Sequence, residues 1–363
     1  MKVIQLGPYP PPHGGVQTNL VAIHRYLHAH GIQCAAINLT RHRRNDEEGV
    51  YYPKNALGVL RLLWKLDYEI AHLHVGGNLS FRLLALGVAC SLIPGKKVVL
   101  TFHSGGYPSS PAGVRFNRSK LRTLALRCFD CVIAVNSEIV RFFEKSGVPR
   151  SRIKLISPFS TVELPTESHL PLNLAAFCEA HDPVLLSVGG LEPEYDIPIQ
   201  IDVLGAVQQS FPQAGLVIIG GGSRESQLRT IVQNRSYSRD ILLCGDVPHG
   251  ITLRAMSRAR LILRTTLYDG DSIAVREALQ LGIPVIATDN GMRPSGVRLI
   301  PSRDFDKLKN AIEDCLHNPM PAGIPEITDE NNLMQILSIY RELVGAQCSV
   351  CVHSLDLPQS TRC

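Results

Sequence analysis

The sequence has no apolar run long enough to cross a membrane, and only 19% of its residues are charged. Its longest apolar stretch, residues 83–94, has about half of the ~20 residues that a spanning helix needs. The chain does not open on a basic segment followed by an apolar one, so we expect no secretory signal and a cytoplasmic protein. With 363 residues, 45% of them hydrophobic, the chain is not disordered and has enough apolar material for two ordinary cores.

Ten cysteines are scattered along the chain without the dense spacing of a disulfide framework. Two pairs, Cys128/Cys131 and Cys348/Cys351, have C-x-x-C spacing and in principle could form a four-thiolate zinc site. Cys131, however, opens an apolar run typical of a buried strand, and the other pair lies in a tail predicted to be loose. We therefore expect reduced thiols and no metal site.

The charge is unevenly distributed along the chain. Residues 1–160 contain 21 Lys and Arg against 8 Asp and Glu, a balance of +13, whereas the remainder contains 16 against 24, a balance of −8. A basic half can face phosphate, an acidic glycan, nucleic acid or an anionic membrane, or it can be an ordinary solvated surface. Two segments, residues 57–66 and 115–127, mix cations with apolar residues, which suits either contact with anionic lipid or helices that face a core.

Short β-branched runs alternate with amphipathic stretches over nearly the whole chain, which is typical of parallel sheets wrapped by helices. We predict strands near 2–7, 32–39, 69–75, 97–102, 131–135, 153–156, 184–188, 215–219, 241–244, 259–263 and 284–287. Residues 157–183 are rich in Pro, Ser and Thr and form a linker with a short helix near 174–179. The pattern predicts an α/β protein with two Rossmann-like, doubly wound domains, 1–160 and 161–330, that face a cleft. A helix at 331–343 then opens a C-terminal segment, 331–363, with a loose tail.

A strand end passes through a glycine turn into a helix in the second half of the chain. Asp271 or Ser272 caps this helix, and the first amides, at Ser272 and Ile273, suit a diphosphate because a helix N-terminus carries partial positive charge. Asp269 and Glu277 are spaced to accept hydrogen bonds from a sugar and a ribose. Asp269 and Asp271 also fit D-x-D, a metal-bridging motif. The alternative without a function is a capped helix with a solvated glutamate.

This segment resembles the hallmark of the retaining, family 4 group of GT-B glycosyltransferases, which is E-G-F-G-L-x-x-x-E-A followed by a Gly-Pro-Val-Val-Ala-Thr strand. Here the residues are Asp269-Gly270-Asp271-Ser272-Ile273, then Glu277-Ala278, then a similar strand at 282–288. The order and spacing of the motif residues match the hallmark, whereas Asp269 replaces the first Glu and Asp271-Ser272 replace Phe-Gly. The resemblance implies the GT-B fold, a nucleotide-sugar donor, a glycan, lipid-linked or other hydroxyl acceptor, no cofactor, no metal and no nucleic-acid partner.

The same resemblance implies roles for individual residues. Asp269 would hold donor-sugar hydroxyls, Glu277 the ribose, and His103, at the end of a buried strand, the sugar or the acceptor side. The other residues that it implies at the donor are Gly14, Gly15, Gly221 and Val247. The glycines among them permit close approach of backbone to ligand.

One departure concerns the grip on the donor diphosphate. Related enzymes carry G-R-L-x-x-x-K-G after the first strand of the second domain, whereas this sequence has Gly190 at the Arg position and Tyr195 at the Lys position. Two charge-assisted contacts of ~1.5–3 kcal/mol each are lost unless other groups replace them. Arg264 and Arg276 are the candidate replacements, although either could instead be a surface arginine.

The sequence therefore predicts a hexosyltransferase-like, nucleotide-sugar-dependent glycosyltransferase of cell-surface polysaccharide or glycoconjugate synthesis. Retention of the anomeric configuration is implied by the resemblance. If the basic half contacts an anionic membrane, the protein would lie at the inner face of the plasma membrane. Two alternatives stay open: a sugar-nucleotide epimerase or phosphorylase on the same scaffold, and a non-catalytic GT-B binding protein, which Gly190 and Tyr195 suggest.

Overall fold

The computed structural model describes residues 1–41, 47–158, 169–291, 293–318 and 329–352. These residues form two compact units. The described residues of the first fall within Met1–Tyr9, Ile23–Ser157 and Asp329–Cys363, and those of the second within Pro10–Ala22 and Pro158–Thr328. The predicted boundary between residues 160 and 161 lies outside the described residues. The C-terminal helix belongs to the first unit, and a segment from the N-terminal part of the chain groups with the second.

The first unit contains a parallel sheet of seven strands in the order β3-β2-β1-β4-β5-β6-β7. The strands are β1 (Lys2–Gly7), β2 (Gln33–Asn38), β3 (Val50–Tyr51), β4 (Ile70–Val75), β5 (Lys97–Phe102), β6 (Cys131–Ala134) and β7 (Ile153–Leu155). All residues of β4 and β6 are buried, because a parallel sheet covered on both faces has no solvent-facing side. The strand order reverses beside β1, which is the doubly wound arrangement of a Rossmann-like domain.

The second unit repeats this topology with a parallel sheet of six strands in the order β10-β9-β8-β11-β12-β13. The strands are β8 (Val184–Val188), β9 (Gly215–Ile219), β10 (Ile241–Gly245), β11 (Leu261–Arg264), β12 (Val285–Thr288) and β13 (Val297–Ile300). The order reverses between β8 and β11. In open sheets of this kind, ligands bind outside the carboxyl ends of the strands at that position.

Helices connect the strands and cover the sheets. They are α1 (Gly15–Ala29), α2 (Ala56–Lys65), α3 (Phe81–Ser91), α4 (Pro111–Asn117), α5 (Lys120–Leu126), α6 (Ser137–Lys145), α7 (Leu172–Ala180), α8 (Ile197–Val207), α9 (Glu225–Gln233), α10 (His249–Arg258), α11 (Ile273–Gln280), α12 (Phe305–His317) and α13 (Asp329–Val352). Among the described residues, none of the helices is long and apolar enough to cross a bilayer. The two Rossmann-like, parallel-sheet domains expected from the sequence are confirmed.

The sequence prediction missed two edge strands and shortened one helix. β3 has only two residues, and β13 is short and carries Arg298, so neither has the apolar pattern of a central strand. The C-terminal helix was predicted to end at residue 343, but α13 continues to Val352 because no proline interrupts the chain there. The backbones of Cys348 and Cys351 therefore lie on this helix and not in a loose tail, and their side chains lie outside the described residues.

Buried histidines link α13 to the first sheet. His72 on β4 lies 2.7 Å from the hydroxyl of Thr101 through Nε2, and its Nδ1 contacts the hydroxyl of Tyr340 on α13. The ring of His74 packs against those of His72 and His103, at centroid distances of 4.1 and 5.9 Å. Burial lowers the pKa of His72 to about 3, and burial with the two neighbouring histidines holds the pKa of His74 well below its ordinary value. The cluster is therefore uncharged at neutral pH.

We expect His74→Leu to make the protein less sensitive to acid. The folded state holds the pKa of His74 below 6.5, so protons bind the unfolded chain preferentially and stability falls as pH drops below that value. Neither ring nitrogen of His74 has a partner among the described residues, so the substitution by leucine removes no hydrogen bond to them. When the pH is lowered from 7.5 to 5, the free energy of unfolding of His74→Leu, measured with urea, should fall by about 1–2 kcal/mol less than that of the wild type. The exposed His30→Leu change controls for the added leucine, and an unchanged pH dependence in His74→Leu would contradict the expectation.

Candidate active site

A pocket lies at the carboxyl ends of β8, β9, β10 and β11 in the second unit. It contains about 700 Å³ of empty space, including the part open to solvent. Its walls are the turn after β8, the turn after β9, the loop after β10 and the starts of α1 and α11, together with one face of α10. All of the lining residues belong to the second unit. The pocket therefore occupies the position at which doubly wound sheets bind ligands.

Ten of the residues that the sequence singled out line this pocket. They are Gly14, Gly15, Gly190, Tyr195, Gly221, Val247, Arg264, Ser272, Ile273 and Glu277. Asp269, Asp271 and Arg276 belong to the same unit but do not line the pocket. The pocket also contains residues that the sequence did not single out, among them His13, Asp246, His249 and Thr252.

The start of α11 supplies amide groups to the pocket. Ser272 is its N-cap, and Ser272 Oγ accepts a hydrogen bond from the amide of Val275 at 3.4 Å, which decides between the two predicted caps in favour of Ser272. The amides of Ile273 and Ala274 have no acceptor within the described part of the chain. Unpaired amides at a helix start combine with the helix dipole to attract an anion. This wall of the pocket suits a phosphate group.

A buried carboxylate stands one turn further along the same helix. Glu277 is 3% exposed, and His249 at the start of α10 donates from Nε2 to Glu277 Oε1 over 2.7 Å. A buried carboxylate is costly unless hydrogen bonds satisfy it, and His249 provides one. A glutamate without a function was expected to be solvated, whereas Glu277 is buried. His249 was not predicted, because 28 residues separate it from Glu277 and only the fold brings the two together.

The residues at the missing Arg and Lys positions contact each other. A Cβ atom at Gly190 would lie 3.1 Å from the ring of Tyr195, so the ring occupies the space beside this glycine. Arg264 lies over the same ring, with its guanidinium carbon 4.7 Å from the ring centroid, and its Nη1 donates to the carbonyl of Val188 at 2.8 Å. The stack places a cation in the pocket wall, although it comes from the end of β11 and not from the turn after β8.

Arg264 also belongs to a buried ion cluster with Asp269 and Arg293. Arg264 Nε and Arg293 Nη1 both donate to Asp269 Oδ2 at 2.9 Å, and Arg293 Nη2 donates to Thr266 Oγ1 at 2.6 Å. Burial raises the pKa of Asp269, but the two guanidinium groups outweigh it and hold the pKa below its ordinary value. Two arginines against one aspartate leave one net positive charge beside the pocket. Arg293 was not predicted, because nothing near it in the sequence distinguishes it from a surface arginine.

Asp269 thus has a different environment from the one expected for a carboxylate reserved for sugar hydroxyls. All of its described arginine contacts reach Oδ2. Oδ1 has no donor among the described residues, and the side chain is 13% exposed. One oxygen of Asp269 therefore positions the arginines, and the other receives no hydrogen bond from a described residue.

Asp271 and Arg276 form an ion pair of their own. Arg276 donates from Nε and Nη2 to the two oxygens of Asp271, at 2.7 and 2.6 Å. Of the two candidate cations, Arg264 lines the pocket and Arg276 is directed to a neighbouring carboxylate. Both aspartates of the D-x-D pattern are held by arginines. Within the described ranges, no group of three or more His, Cys, Asp or Glu side chains is placed to hold a metal ion.

The glycine loop after β1 forms another wall of the pocket. The backbone amide of His13 donates to Asp246 Oδ1 at 3.1 Å, and α1 begins directly after this loop at Gly15. A Cβ atom at Gly15 would lie 3.8 Å from Ile273 Cδ1, which is ordinary contact distance. The loop therefore packs close to the start of α11 without strain, and Asp246 and His13, both missed in the sequence, hold it there.

His103 belongs to the first unit, directly after β5. Its backbone amide donates to the carbonyl of Val75 at 2.8 Å, and its ring is stacked on that of His74. Its Nε2 is buried and has no partner among the described residues. Burial lowers the pKa of His103 to about 4. The ring is thus a neutral imidazole with a hydrogen-bonding atom that the described residues leave unsatisfied.

Two protein-family models match the sequence. Residues 13–160 match the model described as Glycosyltransferase Family 4, and residues 178–331 match the model described as Glycosyl transferases group 1. Between them the two matches cover most of the chain: the first contains β2–β7 and the second contains β8–β13. No curated protein sequence matches significantly.

Several solved structures share this fold. HepE of Anabaena, in complex with UDP-glucose, has 17% identity and a TM-score of 0.68, with 96% of this chain and 100% of that chain covered. Sucrose-phosphate synthase of Thermosynechococcus elongatus has 18% identity and a TM-score of 0.67, covering 95% and 100%. The lipopolysaccharide outer core galactosyltransferase WaaB has 16% identity and a TM-score of 0.55, covering 98% and 99%. With two family models matching its two Rossmann-like domains, the chain belongs to the glycosyltransferases of the GT-B fold.

Proposed function

We propose that this glycosyltransferase transfers a sugar from a nucleotide-sugar donor to a hydroxyl of a glycan or lipid-linked acceptor, with retention of the anomeric configuration and without a metal ion. The observation that carries the proposal is a single pocket that combines unpaired helix-start amides, a cation and a buried carboxylate. A nucleotide-sugar presents the matching groups in one molecule: a diphosphate, a ribose and a sugar.

The donor diphosphate is assigned to the start of α11 and to Arg264. The amides of Ile273 and Ala274 donate to phosphate oxygens, and the loop at Gly15 closes on the same group. Arg264 provides the positive charge that Gly190 and Tyr195 lack, and its stack on Tyr195 holds its orientation. Stabilising the negative charge that develops on the departing diphosphate is the main contribution of these groups to catalysis. In place of the usual Arg and Lys, the amides of α11 and Arg264 therefore bind the diphosphate.

The two carboxylates are assigned to the hydroxyl groups of the donor. Glu277, oriented by His249, accepts hydrogen bonds from the ribose hydroxyls, and Asp269 Oδ1 accepts from donor-sugar hydroxyls. The low pKa of Asp269 keeps it an acceptor at neutral pH. No residue is assigned as a covalent nucleophile. Positioning and electrostatic stabilisation supply the rate enhancement.

His103 is assigned to the donor sugar or to the acceptor. With a pKa of about 4 it is neutral at pH 7, so it acts as a hydrogen-bonding group and not as a charged acid. Its buried, unsatisfied Nε2 supports a role in ligand binding. A metal ion is left out of the proposal, because both carboxylates of the D-x-D pattern are paired with arginines.

Cell-surface polysaccharide or glycoconjugate synthesis is the proposed context. It is supported by the fold shared with a lipopolysaccharide galactosyltransferase, and the complex of HepE with UDP-glucose supports a nucleotide-sugar donor. The cytoplasmic location stays a prediction.

The test is to incubate the protein with UDP-, GDP-, ADP- and dTDP-sugars, with and without glycan and lipid extracts, each in the absence and in the presence of a chelator. We expect acceptor-dependent release of the nucleoside diphosphate, and a product whose anomeric proton coupling matches that of the donor. Inversion of a ring carbon without any acceptor would instead identify an epimerase, and turnover only with inorganic phosphate would identify a phosphorylase. Loss of activity on adding the chelator would contradict the metal-free part of the proposal.

A further inference from the structure

One side of α2 exposes apolar side chains that no described residue covers. The helix buries Val59 and Leu63 against the first sheet, as expected of a surface helix. Its outer face, however, carries Leu57 and Trp64, which are 61% and 73% exposed, with Leu60 between them at 38%. Residues 57, 60 and 64 follow the helical repeat and form one continuous stripe. Contiguous exposed apolar side chains of this kind mark an interaction surface.

Cations lie on the same face. Arg61 and Lys65 are exposed and lie one helical turn apart, beside the apolar stripe. We call Leu57, Leu60, Arg61, Trp64 and Lys65 the α2 surface. Neither cation forms an ion pair with an acidic residue in the described ranges. Leu and Trp beside Arg and Lys on one helix face is the composition of helices that lie in a membrane interface.

A groove adjoins the α2 surface and shares Leu60 with it. It contains about 1640 Å³ of space, including the part open to solvent, and runs between α2 and α3. Its apolar floor includes Leu39, Val59, Leu83 and Leu86. Three cations also line it: Arg41, Lys54 and Arg82. Among the described residues that line the groove, none is acidic.

We propose that the α2 surface and the adjoining groove form a contact site for the anionic lipids of a membrane. An apolar floor bordered by cations is complementary to a lipid with an acyl chain and a negatively charged headgroup. The excess of 13 positive charges in residues 1–160 extends the attraction beyond these five cations. A second copy of this chain would present the same basic surface, so charge repulsion disfavours it as the occupant. The inference is independent of the proposed transfer reaction, since it concerns the first unit alone.

Trp64 is the only tryptophan of the chain, so its fluorescence reports this surface and no other. We would titrate the full-length protein with vesicles of phosphatidylcholine, with or without phosphatidylglycerol. Vesicles that contain phosphatidylglycerol should shift Trp64 emission to shorter wavelength and protect it from an aqueous quencher. They should bind at least about tenfold more tightly than neutral vesicles, and high salt should weaken the binding.

Two double variants distinguish binding through the α2 surface from nonspecific binding through exposed leucines elsewhere. Leu57→Gln with Leu60→Gln keeps Trp64 and should weaken vesicle binding about 100-fold. The matched control is Leu172→Gln with Leu299→Gln, two exposed leucines of the second unit, and it should bind as the wild type does. Unchanged emission with anionic vesicles, or equal binding of the two double variants, would overturn the proposal. Equal binding to neutral vesicles would overturn the assignment to anionic lipid. A shift that grows with protein concentration in the absence of vesicles would identify self-association instead.

Discussion

Glu277→Ala should lower kcat/KM for the donor about 100- to 1000-fold. Two hydrogen bonds from ribose hydroxyls to a buried carboxylate contribute ~1.5–3 kcal/mol each, and their loss also leaves His249 without its acceptor. The measurement is initial-rate kinetics with the best donor of the panel. A smaller loss, of about tenfold, is expected for His249→Phe, which removes the group that orients Glu277 but leaves the carboxylate in place.

The control for this prediction is Glu225→Ala. Glu225 lies at the start of α9 in the same unit and pairs with Arg229 at the surface, a contact that is worth little. Its kinetics should match those of the wild type. Glu277→Gln keeps the size of the side chain, so circular dichroism and kinetics of this variant separate a folding defect from a binding defect. A folded Glu277→Gln protein with wild-type kinetics would contradict the assignment of Glu277 to the ribose.

Arg264→Met should raise the donor KM about 10- to 100-fold and lower kcat as well. The substitution keeps an unbranched side chain against Tyr195 but removes the charge that faces the donor diphosphate. Both parameters change because the charge on the leaving diphosphate increases in the transition state. Thermal unfolding should also show a loss of stability, smaller than the about 3–5 kcal/mol of an orphaned buried charge because Arg293 continues to neutralise Asp269.

Arg260→Met is the matched control, because Arg260 is exposed just before the opposite end of the same strand, β11. It should leave both the kinetics and the stability unchanged. If Arg264→Met kept the donor KM of the wild type and lost only stability, Arg264 would be a structural partner of Asp269, and another group would hold the diphosphate.

Most of the fold follows from local sequence pattern. β9 is a continuous apolar run and was predicted to the residue, because strands buried on both faces leave a strong signal. β3 and β13 lie at sheet edges, where a few hydrogen bonds to one neighbour suffice and no apolar pattern is needed. The position of α13 against the first sheet depends on packing: Tyr340 is fully buried and bonded to His72, a contact between residues 268 positions apart. Such a contact has no local signature.

The site divides in the same way. Backbone-based features were predictable, since Ser272 and the glycine turns have signatures in their own neighbourhood. Arg293 and His249 were not, because each acts on a carboxylate that only the fold brings near it. The substitutions at Gly190 and Tyr195 suggested a lost phosphate grip. In the structure, the ring of Tyr195 packs against both Gly190 and the guanidinium of Arg264. The two substitutions therefore accompany an arginine in the pocket wall, a position that the sequence alone did not establish for Arg264.

The central claim is that the pocket at the carboxyl ends of β8–β11 binds a nucleotide-sugar. Isothermal titration calorimetry of the wild type and Glu277→Ala with the same donor panel tests it most directly, since no acceptor is needed. We predict one-to-one binding of at least one donor by the wild type and an about 100-fold weaker Kd for Glu277→Ala. Equal affinity of the two proteins for that donor, or no binding of any donor by the wild type, would contradict the claim.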